Sequence, residues 1–335
     1  ITNVTDSYDM VKKGIEVAVN NGMRVSVNTV VTQSNKNEVY KSGKKIAELG
    51  AFQFLAYRAI PPVQERGQIN PTHVISKEEA LTSLDELLLL KSEYGLQVGT
   101  LISYPLCLLG DLDKYSDFIG RGCPSQSGHR FSIHPDGTSN TCVMEDVNYG
   151  NIYEVGLKKA YDRNSEKWQN YSYINEICKK CSYVDICQAG CRMDALAHTG
   201  YMDGADPLMV GEEGIKNEIK YLPPQEIMDK VKHNYSLTTL ETLRFRDEGD
   251  FGLINLRWGN TIEISKKLFD HLQHIHTNNL STNLSNILKL DSKLTDKYIY
   301  ALVSKGVLIL EGYSANVFAK KGVSVDPSKI PGIFD

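Results

Sequence analysis

Cysteine is absent from most of this chain. The 335 residues include seven cysteines, with none before Cys107 and none after Cys191. An odd number of thiols confined to one segment is a poor disulfide framework, because disulfides need pairs and usually staple a whole small secreted domain. The distribution therefore favours metal ligation over cross-linking.

The chain also lacks an excess of one charge and any long hydrophobic run. Lys and Arg number 37 against 41 Asp and Glu, for a net charge of −4, whereas nucleic-acid recognition requires a clustered basic face. The longest apolar runs, at 87–90 and 307–310, are far too short to cross a bilayer, and no secretory signal opens the chain. We therefore expect a cytoplasmic protein with no membrane partner, and nucleic acid is disfavoured as a partner.

Residues 1–104 alternate helical and strand patterns. Helices are predicted from about residue 11 to Asn21-Gly22, from a capping box at Asn35-Lys-Asn-Glu38 to Gly50, and from a second capping box at Ser76-Lys-Glu-Glu79 to about Tyr94. Strands are predicted at 24–32, 51–57 and 96–102. The resulting order, α-β-α-β-α-β, implies parallel strands joined by right-handed crossovers.

Two further segments follow. Residues 105–235 hold every cysteine; 131–142 predicts a β-hairpin that turns at Pro135-Asp136-Gly137, and Leu222-Pro-Pro224 predicts a linker. The cysteine-free residues 236–335 show predicted strands at 242–247, 251–257 and 261–264, helices at 265–276, 281–289 and 292–304, and a strand at 307–310. That order is typical of a winged helix. The sequence thus predicts three domains, at 1–104, 105–235 and 236–335.

The cysteines themselves fall into two spaced sets. Cys123 is followed after thirteen residues by Gly137, and Gly137 after four by Cys142; further on stands Cys178-x2-Cys181-x5-Cys187-x3-Cys191. Two thiolates with two residues between them can bind one metal centre from a tight turn. Sets of four thiolates form tetrahedral zinc sites or hold cubane iron–sulfur clusters. A single structural zinc ion with unrelated buried thiols stays open as an alternative on spacing alone.

This cysteine pattern resembles the SPASM extension of radical S-adenosylmethionine (SAM) enzymes, a family that includes anaerobic sulfatase maturases and maturases of ribosomally made peptides. The resemblance runs through Ile133-His-Pro-Asp-Gly137 and Gly150-Asn-Ile152 and ends near Asp206-Pro207. Upstream, Val27–Thr32, Leu49-Gly50 and Pro61 resemble later strands of the family's barrel. The resemblance implies an α/β chain made of the C-terminal part of a partial (β/α)6 radical SAM barrel, a SPASM domain and a winged-helix-like domain.

The resemblance also implies the ligands of two auxiliary [4Fe–4S] clusters. Cys123, Cys142 and Cys191 resemble ligands of the first cluster, and Cys178, Cys181 and Cys187 ligands of the second. Cys107 is a candidate fourth ligand of the first cluster, with an ordinary buried thiol as the alternative. Asn28, Thr32 and Asn35 lie where the family's barrel contacts SAM, although strand-end polarity and a helix cap explain them nearly as well.

The sequence departs from the family pattern in three places. The final cysteine expected after Asp206-Pro207 is replaced by Leu208-Met209, so the second cluster is expected to use Asp203, Asp206, water or substrate at one iron, or to be unstable. Val143 follows Cys142, where sulfatase maturases carry a catalytic aspartate. The C-x3-C-x2-C motif of the radical cluster does not occur, so SAM cleavage and a third [4Fe–4S] cluster are expected only in a parent enzyme that has the earlier barrel strands.

The leading hypothesis is a radical SAM oxidoreductase that matures peptides. It would abstract hydrogen from a residue of a precursor peptide, leading to a thioether or carbon–carbon crosslink in ribosomal peptide natural-product biosynthesis. Its partners would be the precursor peptide, with the leader bound by the C-terminal domain through strand addition, and a reductant such as flavodoxin or ferredoxin. The alternatives are a sulfatase-maturase-like enzyme and an iron–sulfur redox-sensing regulator that binds DNA through residues such as Lys266.

Overall fold

The computed structural model describes residues 4–62, 69–119, 123–126, 130–216, 229, 237–239, 243–255, 261–282, 284, 292–304 and 307–310. The chain divides into two units, unit 1 (Ile1–Asn217) and unit 2 (Glu218–Asp335). In the part of the chain described, no helix combines the length and the hydropathy that a bilayer span requires.

Unit 1 opens with alternating helices and strands. In chain order these are α1 (Ser7–Asn20), β1 (Ser26–Val31), α2 (Val39–Glu48), β2 (Gln53–Arg58), α3 (Lys77–Tyr94) and β3 (Gln97–Gly99). The strands form one parallel sheet in the order β1-β2-β3, in which Ser26 pairs with Gln53 and Gln53 with Gln97. The predicted alternation and the parallel pairing are confirmed.

Helix α3 packs one side against this layer through five buried residues, Ala80, Ser83, Leu84, Leu87 and Leu90. Ser76 Oγ accepts the N–H of Glu79 at 3.2 Å and the Glu79 carboxylate accepts the N–H of Ser76 at 2.8 Å, which confirms the predicted capping box. Its inward leucines, Leu84, Leu87 and Leu90, are fully buried. Gly43 of α2 permits their close approach, because a Cβ there would lie 2.1 Å from Leu90 Cδ1.

The start of α2 differs from the prediction. The helix begins at Val39, and its N-cap Glu38 makes no side-chain capping bond. Asn35 Nδ2 donates instead to the Val30 carbonyl at 2.9 Å, and Asn35 Oδ1 accepts the N–H of Thr32 at 2.8 Å. The capping box predicted at Asn35 is therefore wrong, because its side chain closes a turn at the carboxyl end of β1.

The segment that contains the cysteines folds into mostly short elements. They are α4 (Leu106–Leu109), β4 (Ser132–Ile133), β5 (Ser139–Asn140), α5 (Ile152–Val155), α6 (Leu157–Trp168), α7 (Glu176–Lys179), α8 (Val184–Cys187) and α9 (Arg192–Thr199). Strands β4 and β5 pair antiparallel, which confirms the predicted hairpin. Gly137 in its turn has φ 84°, a conformation that glycine adopts without steric cost. A 3-10 turn at Glu212–Gly214 follows.

The described residues of unit 2 form two antiparallel sheets. Its elements are β6 (Leu237–Thr239), β7 (Arg244–Asp247), β8 (Phe251–Asn255), β9 (Thr261–Ser265), α10 (Lys266–Asn278), α11 (Ser292–Ser304) and β10 (Leu308–Leu310). One sheet has the order β7-β8-β9, and the other pairs β6 with β10. The predicted linker at 222–224 and, apart from residues 281, 282 and 284, the predicted helix at 281–289 lie outside the described residues. Sequence reasoning missed β6.

Candidate metal centres

Four cysteines line one cavity of ≈ 370 Å³ in unit 1. These cavity cysteines are Cys107 of α4, Cys178 of α7, Cys181 in the turn after α7, and Cys187 at the end of α8. One water molecule needs only about 10–15 Å³ on the same measure, so the cavity has room for an occupant of many atoms. The donor set, four soft sulfurs, is the one that iron–sulfur clusters and zinc prefer.

Backbone N–H groups point at three of these sulfurs. Cys107 Sγ accepts from the Val210 N–H at 3.4 Å, Cys187 Sγ from Leu106 at 3.4 Å and Cys181 Sγ from Tyr183 at 3.5 Å. Such bonds favour the thiolate form and tune clusters that thiolates hold. The arrangement therefore suits sulfurs that carry negative charge.

In the absence of a metal, burial disfavours the negatively charged thiolate form of the cavity cysteines. It raises the pKa of Cys187 to about 12 and the pKa of Cys181 to about 11. Burial, and to a smaller extent the nearby Cys107, also raises the pKa of Cys178. A bound cation would supply the positive charge that deprotonates the thiols, so binding at this site would release protons.

Local hydrogen bonds fold the C-x2-C segment into a tight turn. Asn175 Oδ1 caps α7 by accepting the Ile177 N–H at 3.0 Å, and the Cys181 N–H donates to the Cys178 carbonyl at 3.1 Å. The turn continues into α8, where the Cys187 N–H donates to the Tyr183 carbonyl at 2.8 Å. The two cysteines separated by two residues thus both line the cavity.

The other three cysteines, which we call the core cysteines, lie elsewhere in unit 1. Cys123, Cys142 and Cys191 pack in one apolar cluster whose other members include Tyr149, Trp168, Met193 and Leu196. Burial raises the pKa of Cys142, and Cys123 adds to the effect. Burial also raises the pKa of Cys191 to about 12, against the opposing charge of Arg58. The three thiols therefore share one largely apolar environment.

The structure differs from the expectation at Cys107. Cys107 was a candidate fourth ligand beside the core cysteines, whereas it lies among the cavity cysteines. The reason is the packing of α4 on the 212–214 turn: a Cβ at Gly214 would lie 2.5 Å from the Cys107 carbonyl oxygen, and the Lys216 N–H donates to the Gly110 carbonyl at 2.9 Å. The seven thiols are thus divided into four and three.

The two aspartates considered for the second cluster lie outside this cavity. Asp206 is fully committed elsewhere, since its Oδ2 accepts from Arg58 at 2.6 Å and from the Cys191 N–H at 2.8 Å. Asp203 is exposed and does not line the cavity. Met209 does line it, with its Sδ 3.4 Å from Cys178 Sγ.

The sulfurs are not gathered at a point. Within the described ranges, no three His, Cys, Asp or Glu side chains lie close enough together to hold one metal ion. The cavity cysteines instead surround a volume, and their donor type and the room between them fit a multi-atom thiolate-held group.

A buried ion network that sequence reasoning missed supports the core cysteines. Arg58 Nε lies 2.9 Å from Asp194 Oδ2, and Arg58 Nη2 lies 2.6 Å from Asp206 Oδ2, with all three side chains at most 3% exposed. Burial tends to lower the pKa of Arg58, but the two carboxylates raise it above its ordinary value. Because Asp206 also accepts the Cys191 N–H, the network ties β2 to that cysteine.

Arg192, the residue after Cys191, was also missed. It is 1% exposed, and its guanidinium donates to the carbonyls of Gly204 at 2.8 Å, Tyr173 at 3.2 Å and Met202 at 3.3 Å, and to that of Ala189. These carbonyls belong to three loop segments around the cysteines. An arginine beside a cysteine gives no sequence signal for this role, because its partners are set by tertiary packing.

The three SAM candidates lie on or just after β1. Asn28 is an exposed residue within the strand and pairs in register with Leu55. Thr32 and Asn35 hydrogen-bond each other in the turn that follows, through Thr32 Oγ1 at 3.2 Å as well as through the Thr32 N–H. The structure therefore joins Thr32 to Asn35 and leaves Asn28 in the strand.

No family model matches the chain. Two curated proteins from strains of Clostridium perfringens, both described as cysteine-type anaerobic sulfatase-maturating enzymes, are 23% identical to it over 200 residues. The match covers 56% of this chain and 52% of each relative. The chain therefore spans about half the length of the curated relatives it matches.

Solved structures show a similar partial likeness. One described as native anSMEcpe with bound AdoMet has a TM-score of 0.44 and 20% identity, covering 60% of this chain and 56% of that one. Another, native anSMEcpe with bound AdoMet and Kp18Cys peptide, has a TM-score of 0.41 and 22% identity, covering 56% and 53%. The chain is a mixed α/β protein that is similar, over about half its length, to anaerobic sulfatase-maturating enzymes.

Proposed function

We propose that this chain is the auxiliary-cluster part of a radical SAM enzyme that modifies a residue of a peptide or protein. The observation that carries the proposal is the division of the seven cysteines into a four-thiol group around a cavity and a three-thiol group in an apolar cluster. The similarity to anaerobic sulfatase-maturating enzymes over 200 residues supports it.

Two iron–sulfur clusters bound by these groups would supply one-electron transfer during the oxidation of the substrate. The cavity cysteines would hold one cluster and the core cysteines the other. Around the core cysteines, Trp168 and Met193 exclude water, since each is 1% exposed. Arg58, through Asp206, fixes the backbone at Cys191. These residues set the solvation and position of the thiolates, which tune a cluster's potential.

SAM and the radical cluster belong, in this proposal, to the parent enzyme. Asn28, Thr32 and Asn35 are proposed SAM contacts, because they lie on or just after a strand of the parallel sheet, and ligands of such sheets gather at the carboxyl ends of strands. Thr32 and Asn35 would hold the turn through their mutual hydrogen bonds. Asn28 would present an exposed amide from β1.

Two substrate classes fit this enzyme. A sulfatase-like protein substrate is favoured by the curated relatives, which are named for sulfatase maturation. A ribosomal precursor peptide that receives a thioether or carbon–carbon crosslink is favoured by Val143, which is 62% exposed and stands where the resemblance leads us to expect a catalytic aspartate. A valine side chain cannot accept a proton, so the formylglycine reaction would need another base.

Unit 2 is proposed as a winged-helix-like domain that binds a leader peptide. In the described part of its three-stranded sheet, β7 is an edge strand, and an edge strand offers main-chain N–H and C=O groups to an extended peptide. A DNA-binding role is weaker, because Lys266 is paired with Asp247 at 2.9 Å and Asp270 at 2.5 Å. Those carboxylates offset the charge that a phosphate contact needs.

Anaerobic reconstitution with iron and sulfide tests the cluster assignment. The wild-type chain should bind about eight irons, and the double variants Cys181→Ala/Cys187→Ala and Cys142→Ala/Cys191→Ala should each lose about half of them with different residual spectra. Binding of zinc in place of iron, or loss of the same spectral species in both variants, would contradict the two-site assignment.

Mass spectrometry of products from the full-length parent enzyme tests the substrate class. A precursor peptide should lose two hydrogens when a crosslink forms, whereas a sulfatase-derived cysteine peptide should exchange its thiol for an aldehyde. Turnover of one substrate and not the other selects the class. Production of 5′-deoxyadenosine with neither substrate changed would contradict both.

A further inference from the structure

We propose that Cys107 is the fourth thiolate ligand of the cluster held by Cys178, Cys181 and Cys187. It would take the place of the cysteine that the SPASM pattern leads one to expect after Asp206-Pro207, where the chain has Leu208-Met209. This inference rests on the proposed function and deepens it, since it identifies the ligand that the sequence pattern lacks.

The position of Cys107 carries the inference. Its sulfur lines the same cavity as the other three, and it accepts the N–H of Val210, the residue after Met209, at 3.4 Å. The preceding residue, Leu106, donates its N–H to Cys187 Sγ at 3.4 Å. One helical turn therefore contacts both a cysteine of the 178–191 run and the segment where the expected cysteine is missing.

The packing of α4 fixes Cys107 in that position. The other three residues of α4, Leu106, Leu108 and Leu109, are buried, so the core holds the turn while Cys107 remains at the cavity. Gly214 also lies against the Cys107 carbonyl, so closely that a Cβ there would be 2.5 Å from the carbonyl oxygen. The sulfur is thus presented by a rigidly packed element, as a metal ligand requires.

Of the other donor groups that line the cavity, Met209 and Glu212 contact its cysteines and are the rivals for the fourth position. Met209 offers a thioether 3.4 Å from Cys178 Sγ, but a neutral thioether is a weaker ligand for iron–sulfur clusters than a thiolate. Glu212 offers a carboxylate that already accepts the Ser182 N–H at 3.2 Å. Cys107 is the donor whose chemistry matches the other three.

If Cys107 binds the cluster in the cavity, the site that lacks a fourth protein thiolate is the one at the core cysteines. With four thiolates at the cavity, the remaining cysteines of the sequence, Cys123, Cys142 and Cys191, supply three. A cubane cluster at the core cysteines then has one iron without a protein thiolate. The iron available to an external ligand would lie there, and not at the cavity as the sequence pattern suggests.

Five variants of the chain test the inference after anaerobic reconstitution, with iron content and EPR spectra as readouts. In the wild type only the cluster at the core cysteines has three thiolates, so mild oxidation should convert that cluster alone to a three-iron form. Cys107→Ala leaves both clusters with three thiolates, so the EPR signal of three-iron clusters should roughly double. Met209→Leu and Glu212→Gln should match the wild type. The double variant Cys107→Ala/Met209→Cys should return to the wild-type signal, because it restores a thiolate at the expected position. Circular dichroism checks that each variant is folded. If Cys107→Ala does not fold, Cys107→Ser is used in its place.

The outcomes separate this inference from the proposed function. Wild-type iron content and spectra in folded Cys107→Ala and Cys107→Ser would overturn the assignment of Cys107 and leave the two-cluster proposal intact. A larger three-iron signal in Met209→Leu or Glu212→Gln, with Cys107→Ala unchanged, would assign the rival ligand. A wild-type chain that binds no iron–sulfur cluster would overturn the proposed function itself.

Discussion

Arg58 shows how a single residue can connect the parallel sheet to the cysteine segment. It ends β2, and its guanidinium contacts two carboxylates that are distant in sequence, Asp194 and Asp206. Three buried charges of this kind are stable only together, since removal of one leaves the others without compensation. Sequence reasoning could not find the network, because Arg58 is more than one hundred residues from both aspartates and no local motif marks it.

Replacement of Arg58 by Met should therefore destabilise unit 1 strongly. We expect a loss of about 3–5 kcal/mol in the free energy of unfolding, because two buried aspartates lose their partner. Urea denaturation followed by circular dichroism measures it. Lys158→Met is the matched control: it breaks an exposed pair with Asp162 and should cost less than about 0.5 kcal/mol. Equal losses in the two variants would contradict the role of the network.

Glu145 gives a prediction for the pH dependence of the metal-free protein. It is 6% exposed, and burial raises its pKa from 4.5 to about 7. The folded state then holds a proton that the unfolded state has released, so stability falls as the pH rises from about 4.5 to 7 and levels off above that range. The total loss is up to about 3 kcal/mol.

Glu145→Gln should remove this component. Its unfolding free energy, measured at pH 5 and pH 8, should change less than that of the wild type, and the variant should be the more stable protein at pH 8. If the unfolding free energy of the wild type instead rises relative to that of the variant between pH 5 and pH 8, the folded state stabilises the ionised carboxylate.

At the scale of elements, local patterns predicted some features and not others. The α3 capping box could be predicted because Ser76 and Glu79 satisfy each other within one turn. The start of α2 could not, since the Asn35 amide has a competing partner, the Val30 carbonyl at the end of β1. Asn side chains favour such local turns as readily as helix caps, and the sequence does not reveal which partner is nearer.

The connection between α8 and α9 depends on Gly190. Its φ is 74°, and a Cβ would lie 2.3 Å from Asp206 Oδ2, the oxygen that accepts from Arg58 and from the Cys191 N–H. The glycine therefore serves both the turn and the close approach of a buried carboxylate.

Gly190→Ala should be more damaging than Gly200→Ala. Gly200, which follows α9, has φ 80°, but a Cβ added there would meet nothing within 4 Å, so its variant reports only backbone strain, about 1–2 kcal/mol. Gly190→Ala should cause the same backbone strain and, in addition, displace the carboxylate of Asp206. Thermal unfolding of both variants measures the difference, and equal destabilisation would mean that the Asp206 contact relaxes at no cost.

At the scale of the whole molecule, the cysteine spacing predicted that the thiols gather but not how they divide. Cys178, Cys181 and Cys187 are close in sequence, so short turns bring them together. Cys107 precedes them by a long stretch of chain, and its place depends on the packing of α4 against Gly214. The parallel sheet was predictable from alternating patterns, whereas the partner of β10 was not, because the short strand β6 has only three residues.

Two separate iron–sulfur clusters held by the seven cysteines would make this chain an electron-transfer unit, and the central functional proposal depends on them. Native mass spectrometry of the wild-type chain, reconstituted and kept anaerobic, detects them directly, because the mass of the bound inorganic atoms gives the number and type of clusters in each molecule. We predict a main species that carries two Fe4S4 units. A chain that carries a single cluster, or zinc, would contradict the assignment.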